Sequence, residues 1–309
     1  MKKIAILGAT GHIAKNLISN FKSLENHDLF LFARSDEKLN NFLKNINYRN
    51  GIEKIRLDGF ANEKYDAVIN CIGVGDPGKV KTIGPEIFRL TEYYDNFILD
   101  YLKGNNSCIY INFSSGAAYG TNFSVPADQN MINELDVSSI GKKDNYGIVK
   151  LYFEAKHRSY EDYNIIDLRV FAFFSRYIDL NSKYFITELI SCIKTGKEFI
   201  TGNNNMVRDY VHPNDLFNLI NICINIRKIN DAFDVYSLKP VTKFEIIDYF
   251  ATNYGLKYKT KSYILGENTT GIKDNYYSIN KKAENIGYIP EFSSMDCVIS
   301  EAKELLKSV

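Results

Sequence analysis

The sequence is poor in the residues that build disulfide frameworks and metal sites. Its 309 residues include only five cysteines, Cys71, Cys108, Cys192, Cys223 and Cys297. Their number is odd, their spacing is wide and no Cys-x-x-Cys occurs, which argues against a disulfide scaffold or a cysteine-based zinc site. They read as buried free thiols in a reducing cytoplasm. The four histidines, His12, His27, His157 and His212, show no ligand spacing, so no metal is expected. An excess of one charge is also missing. Lys and Arg total 38 against 37 Asp and Glu, a net charge of +1, which offers no general attraction to nucleic acid or an anionic membrane. No apolar run reaches the roughly 18 residues needed to span a bilayer. Met1-Lys2-Lys3 is followed by only Ile4 to Leu7 before Gly8 interrupts, too short for a secretion signal. Internal repeats and low-complexity stretches are absent as well.

What is present suits a soluble globular chain. Hydrophobic residues make up 45% and charged residues 24%, enough to bury a sizeable core. The length allows about two domains. Short apolar runs at Ile4–Leu7, Leu29–Ala33, Lys54–Leu57, Ala67–Ile72, Cys108–Phe113 and Ile165–Phe171 read as buried strands. Helical patterns separate them, including a long one over about 85–103 and another from Tyr146 to Tyr160. This alternation predicts a Rossmann-type, doubly wound parallel α/β sheet. After Phe174 the rhythm breaks into a smaller mixed lobe. The expected division is a dinucleotide-binding domain over 1–172, with 207–240 returning to it, and a mainly substrate-binding lobe over 173–309. Asp209 to His212 reads as one short strand leading into a helix from Pro213 to Ile226.

Gly8-Ala-Thr-Gly11-His-Ile-Ala14 lies between the first strand and the first helix. Gly8 permits a tight turn, Gly11 lets backbone approach a pyrophosphate, and Ala14 allows close helix packing. The helix N-terminus offers free N–H groups and a positive dipole end to phosphate. Gly8, Thr10, Gly11, His12 and Ile13 are therefore the expected cradle of a dinucleotide. At the end of the second strand, an acid for the adenosine ribose is missing. Arg34 and Ser35 stand there instead. A guanidinium suits a 2′-phosphate, so NADP is expected, with NAD possible; the plainer alternative is an exposed loop arginine. Asp58, after the third strand, is a candidate acceptor for the adenine amino group, or simply a turn residue.

Tyr146 and Lys150 are four apart on a helical pattern and project from one face. A phenol has an ordinary pKa of about 10. A nearby ammonium lowers it, so one oxygen can both take and give a proton. The spacing alone fits a solvated helix face equally well.

Taken together, the glycine loop, Phe113-Ser-Ser115-Gly-Ala-Ala-Tyr119-Gly120, Tyr146-Gly-Ile-Val-Lys150, Leu168-Arg169-Val-Phe171 and Arg208-Asp-Tyr-Val-His-Pro-Asn-Asp215-Leu216 resemble the extended short-chain dehydrogenase/reductase family. That family contains nucleotide-sugar epimerases, dehydratases and reductases. The resemblance covers nearly the whole chain. It implies that Ser115 hydrogen-bonds the reacting oxygen, Tyr146 exchanges the proton, and Lys150 lowers the Tyr146 pKa while binding the nicotinamide ribose. It also implies that Arg208 contacts a substrate diphosphate, and that Ser278 to Pro290 is the closing motif. Departures are equally informative. Gly116-Ala117 replaces the Asp-Glu that drives dehydration, Ala172 replaces an asparagine, and Leu90 and Cys71 stand where other residues are usual. Arg176 is the candidate to replace the altered phosphate contacts.

The function expected from the resemblance is an NADP(H)-dependent reductase or dehydrogenase of a nucleotide-activated keto sugar. The alternatives are an epimerase that retains its cofactor and a non-catalytic NADP-binding regulator. The partner is a nucleotide sugar. A homodimer is expected too, with Phe97, Ile98, Tyr101, Tyr152 and Phe153 either lining a four-helix interface or facing the sheet.

Overall fold

The protein is described from a computed structural model over residues 1–48, 52–54, 57–262 and 273–307. The first half of the chain runs β1 (Lys2–Leu7), α1 (His12–Phe21), β2 (His27–Phe32), α2 (Asp36–Asn45), β3 (Ile52–Lys54), β4 (Ala67–Asn70), α3 (Pro77–Ile83), α4 (Glu86–Leu102), β5 (Ile109–Ser115), α5 (Asn145–Arg158) and β6 (Asn164–Val170). The second half runs β7 (Ala172–Phe173), α6 (Phe185–Thr195), β8 (Phe199–Gly202), β9 (Val207–Arg208), β10 (Tyr210–Val211), α7 (Pro213–Asn225), β11 (Asn230–Val235), β12 (Val241–Thr242), α8 (Lys243–Tyr254), β13 (Tyr258–Lys261), β14 (Asn275–Tyr276) and α9 (Ser294–Leu306).

Seven strands form the main sheet in the order β11-β6-β5-β4-β1-β2-β3. Every neighbouring pair is parallel. The strands are apolar because helices cover both faces, so no side is left for water. Ile4, Ile6, Leu29, Ile69, Ile111 and Ile166 enter one core with α1 and α7, while Ala5, Leu7, Phe30, Val68 and Tyr110 enter the other with α4. The strand order reverses between β1 and β4, and in such sheets the crevice outside the carboxyl ends at that point receives ligands.

A separate core joins α6, α8 and α9 through Leu189, Ile190, Ile247, Phe250, Val298 and Leu306. The chain then returns to the sheet, since Ala283 and Tyr288 lie in the core under β11. No helix among the described residues is long and apolar enough to cross a membrane.

Two local expectations change, and one open alternative is narrowed. The third strand was expected over Lys54–Leu57 but spans Ile52–Lys54; residues 55 and 56 lie outside the described residues, and Leu57 opens a 3-10 turn to Asn62. That turn buries Phe60 against Phe32 and Tyr65, and Asp58 is exposed on it. The strand expected over Asp209–His212 is present but shorter, as Tyr210–Val211, and Asp209 stands just before it. The buried Asp209 carboxylate accepts the Ser237 amide at 3.0 Å and the Ser294 hydroxyl at 3.1 Å, separating β9 from β10. Of the five residues considered for a dimer face, Ile98, Tyr101 and Phe153 are buried within this subunit. Tyr152 is exposed, as is Tyr93 on α4.

Behind the sheet, α4, α5 and β6 meet through charge. His157 Nε2 lies 2.7 Å from Asp95 Oδ1 and Nδ1 lies 2.9 Å from Asp167 Oδ1. Both ring nitrogens face carboxylates, so both carry protons. Lys156 and Tyr110 also donate to Asp95, and Arg158 and Asn112 to Asp167. Burial opposes the imidazolium, yet the two carboxylates prevail and push the His157 pKa up to about 9 from 6.5. A pKa raised on folding means that the native state binds the proton more tightly than the unfolded chain. The stabilisation is therefore complete below about pH 6.5 and is lost as pH rises through about 9. It amounts to about 3 kcal/mol. The melting temperature of the wild type should fall across that window, whereas His157→Gln should be less stable at pH 6 and much flatter. Parallel slopes for the two proteins would contradict it.

Candidate active site

The turn after β1 is shaped by Gly8, whose φ of +74° is strained for any side chain. A Cβ there would also lie 3.0 Å from the Cys71 carbonyl at the end of β4. The Gly11 amide donates to the Gly8 carbonyl at 2.8 Å, which closes the turn. Gly11 then caps α1 without a side-chain partner, and the first turn of α1 contains no acid. Its amides and its positive dipole end fit a pyrophosphate. Thr10 is half-buried in the turn, and Ile13 packs against the main core.

The His12 ring is used differently. Its Nε2 is 2.7 Å from Ser175 Oγ. Asn16 and the Tyr177 amide both donate to the same oxygen, so the Ser175 hydroxyl donates to His12 Nε2. Burial, with Lys15 nearby, lowers the His12 pKa to about 3, leaving the ring neutral. His12 thus ties the glycine loop to the segment after β7, and what remains to offer a phosphate is its backbone amide.

At the end of β2, Arg34 is exposed. The neighbouring Ser35 caps α2 by accepting the Lys38 amide at 3.2 Å. At the end of β4, Asn70 donates to the Tyr110 hydroxyl and accepts the Ile72 amide, fixing the turn beside Cys71.

Ser115 ends β5 and is buried. Its hydroxyl caps the following 3-10 turn by accepting the Ala117 amide at 3.2 Å. The same oxygen shares a hydrogen bond with the Tyr276 hydroxyl at 3.0 Å. Helix α5 lies close over this turn, because Gly147 has no side chain; a Cβ there would be 2.7 Å from the Ala117 carbonyl oxygen. That approach carries Tyr146 and Lys150 towards Ser115. Lys150 Nζ lies 5.7 Å from the Tyr146 ring centroid and donates to the Phe113 carbonyl at 2.6 Å. The bond fixes the ammonium under the phenol. Gly116 leaves no space for an acid after Ser115, since even a Cβ would lie 2.3 Å from the Phe171 ring. Leu90 is half-buried and brings no polar group.

A buried cluster supports these catalytic candidates from behind. Glu154 of α5 accepts the Ser114 hydroxyl at 2.5 Å and two guanidinium nitrogens of Arg169 at 2.9 and 2.5 Å. Arg169 also donates to the Tyr119 hydroxyl at 2.7 Å, and that hydroxyl donates to Asp234 of β11 at 3.0 Å. Ser278 donates to Asp234 at 2.5 Å, and Asn280 to Tyr119 at 3.3 Å. Burial pushes the Asp234 carboxyl up. Burial also opposes the Arg169 charge, but bonding to Glu154 outweighs it and raises the guanidinium further.

Two cations lie over Tyr276. Lys273 Nζ is 4.4 Å and Arg208 Cζ 5.9 Å from its ring centroid. Arg208 is held by the Val207 and Lys273 carbonyls at 2.8 and 2.6 Å. Asp209 does not pair with it, because that carboxylate is turned to Ser237 and Ser294. Burial, then Arg208, lowers the Lys273 pKa to about 8, and burial lowers that of Arg208. Two desolvated cations side by side are suited to an anionic ligand. Lys273 escapes sequence reasoning because it lies 65 residues from Arg208. Arg176 is placed elsewhere. Its guanidinium is forked onto Glu301 of α9 at 2.9 and 2.6 Å, with Glu304 at 3.5 Å.

The sequence profile of the NAD dependent epimerase/dehydratase family matches residues 4–236. None of the curated proteins matches the chain in sequence. Solved structures share its fold. UDP-glucose 4-epimerase from Bifidobacterium longum, in complex with NAD+ and UDP, superposes with a TM-score of 0.78 at 19% identity, covering 99% of this chain and 98% of that one. UDP-glucuronic acid 4-epimerase from Bacillus cereus, in complex with UDP-glucuronic acid and NAD, gives 0.80 at 16% identity, covering 99% and 100%. The dTDP-glucose 4,6-dehydratase from Bacillus anthracis, in complex with NAD, gives 0.77 at 14% identity, covering 100% and 97%.

Proposed function

The chain belongs to the NAD dependent epimerase/dehydratase family, and we propose that it exchanges a hydride and a proton at one carbon of the sugar in a nucleoside-diphosphate sugar. The carrying observation is that Ser115 of β5 and the cations Arg208 and Lys273 meet at Tyr276, while α5, which carries Tyr146 and Lys150 as a pair, packs on the turn that follows Ser115. A bound nicotinamide supplies the hydride acceptor or donor. The fit of the glycine turn, the acid-free start of α1 and the close Cys71 carbonyl support the dinucleotide site. Residues 1–172, with 207–240, serve as the cofactor domain, and 173–309 mainly bind substrate.

In this reading Ser115 orients the reacting oxygen by hydrogen bonding. Tyr146 takes the alcohol proton as the carbon is oxidised and returns it as the carbon is reduced. Lys150, held by Phe113, stabilises the phenolate. Arg208 and Lys273 bind the diphosphate, so the sugar is positioned by a group remote from the chemistry. Gly116 argues against dehydration, since Phe171 fills the space that an acid would need.

Epimerisation through a transient ketone is supported by the neighbours above, two of which are 4-epimerases. Net reduction is supported by Arg34, exposed at the end of β2 where it can meet a 2′-phosphate. The two are separated by mixing the purified protein with UDP-glucose, UDP-galactose or a UDP-4-keto sugar. Interconversion of the hexoses without net cofactor change identifies the epimerase. Stoichiometric loss of NADPH with the keto sugar identifies the reductase. Failure of both would remove the nucleotide-sugar reading.

Arg34 also makes the cofactor testable. NADP+ should bind more tightly than NAD+. Arg34→Ala should weaken NADP+ by about 10–100-fold, the value of a charge-assisted hydrogen bond, with NAD+ little changed. Equal effects on the two titrations would assign the arginine to the surface. A homodimer through the exposed Tyr93 and Tyr152 side of α4 and α5 completes the proposal.

A further inference from the structure

Gly75 sits in the turn between β4 and α3. A Cβ built on it would lie 3.8 Å from the Tyr184 hydroxyl and 4.0 Å from the Tyr146 hydroxyl. These two oxygens, from different halves of the chain, thus lie within 4.0 Å of one point beside Gly75. The Tyr146 hydroxyl is assigned to proton exchange above. The Tyr184 hydroxyl has no part in that chemistry.

Tyr184 is firmly placed. It precedes α6, where its amide donates to Thr187 Oγ1 at 3.1 Å and its carbonyl accepts from the same hydroxyl at 2.8 Å. The preceding Lys183 amide donates to Asp76 Oδ2 at 3.3 Å. Asp76 Oδ1 accepts the Lys79 amide at 2.9 Å and caps α3. Asp76 thus joins the Gly75 turn to the segment that carries Tyr184, across the mouth of the crevice. Burial, then Tyr146 and Asp76, push the Tyr184 phenol up, so it stays protonated and can donate.

We propose that Tyr184 determines sugar specificity: its hydroxyl, which shares the Gly75 neighbourhood with that of Tyr146, donates a hydrogen bond to the sugar hydroxyl on the carbon next to the reacting one. The assignment rests on the nucleotide-sugar reading and deepens it. The sugar enters between the two phenols. Tyr146 meets the reacting oxygen, and Tyr184 meets its neighbour. A sugar without that neighbouring hydroxyl loses the hydrogen bond from the half-buried Tyr184 and is disfavoured.

With C4 taken as the reacting carbon, as in the 4-epimerases above, the test is calorimetric titration of the cofactor-loaded protein with UDP-glucose, UDP-3-deoxyglucose and UDP. Tyr184→Phe should lose roughly 5–10-fold in affinity for UDP-glucose, the value of one neutral hydrogen bond. It should bind UDP and UDP-3-deoxyglucose as the wild type does. Gly75→Ala provides a second variant, because its new contacts of 3.8 and 4.0 Å are ordinary ones that the fold accepts. It should bind UDP normally and UDP-glucose poorly. An unchanged UDP-glucose affinity in Tyr184→Phe would overturn the assignment while leaving the nucleotide-sugar reading intact. An equal loss for UDP and UDP-glucose would also overturn it, as a structural role. If the wild type binds UDP-glucose no better than UDP, the nucleotide-sugar reading itself fails, and this inference with it.

Discussion

Tyr146→Phe should lower turnover by about 10²–10⁴-fold, the usual contribution of a positioned acid or base, with no loss of cofactor affinity or thermal stability. Three phenols surround the site, and Tyr146 is the one with Lys150, one helical turn on along α5, 5.7 Å from its ring centroid, while Lys273 lies 4.4 Å from that of Tyr276. Tyr276 touches Ser115, yet burial chiefly, with Tyr146 nearby, pushes its phenol up. Tyr184 is likewise pushed up by burial. Neither is set to give and retake a proton near neutrality. Tyr146 is half-buried, and among the described residues its hydroxyl makes no hydrogen bond, so its removal leaves no buried partner unsatisfied. The loss should therefore appear in kcat, with the melting temperature unchanged. A variant retaining full turnover would transfer the proton step to Tyr276, and Tyr276→Phe would then show the loss.

Arg169→Met should cost about 3–5 kcal/mol of stability, the range seen when one partner of a buried ion pair is removed. Arg169 is the cation set between two buried acids, Glu154 and Asp234, with ion-pair distances of 2.5 and 3.4 Å. Methionine has a similar apolar stem but cannot answer either carboxylate. The damage would reach the active site through named bonds. Glu154 steadies Ser114 beside Ser115 on one side and α5 on the other. Asp234 holds Ser278, two residues from Tyr276. Turnover should fall together with stability, and thermal unfolding followed by circular dichroism would measure the stability term. Replacing Glu154 by Gln together with Arg169→Met should recover part of the lost stability, because fewer unpaired charges remain buried. A melting temperature within a degree of the wild type for Arg169→Met would contradict this account.

The local features were legible in advance because their geometry follows from a few neighbouring residues. Gly8 and Gly11 lie within one turn, and Tyr146 and Lys150 within one helical turn. Buried parallel strands also announce themselves, since both faces must be apolar. The dimer-face residues were ambiguous for a related reason. An amphipathic helix shows which residues are apolar but not whether its own sheet or another subunit covers them; Ile98, Tyr101 and Phe153 are covered here by their own subunit.

The partners that define the site are distant in sequence. Ser115 meets Tyr276 across 161 positions, Arg176 meets Glu301 across 125, and His12 meets Ser175 across 163. No periodicity links such pairs. Arg176 shows the consequence: its charge and place after β7 suggested a phosphate ligand, whereas α9 brings two carboxylates to it.

By itself the sequence determined a parallel α/β sheet, a glycine turn that suits a dinucleotide, and a tyrosine–lysine pair on one helix face. These follow from backbone freedom, strand burial and helical spacing, all of which act over short stretches. Only the tertiary structure decided which cations stand beside the site, which histidine is structural, and which further phenols border it. Those choices depend on which distant chains of atoms exclude water together, since burial and nearby charge, rather than residue type, set what each group can bind or donate.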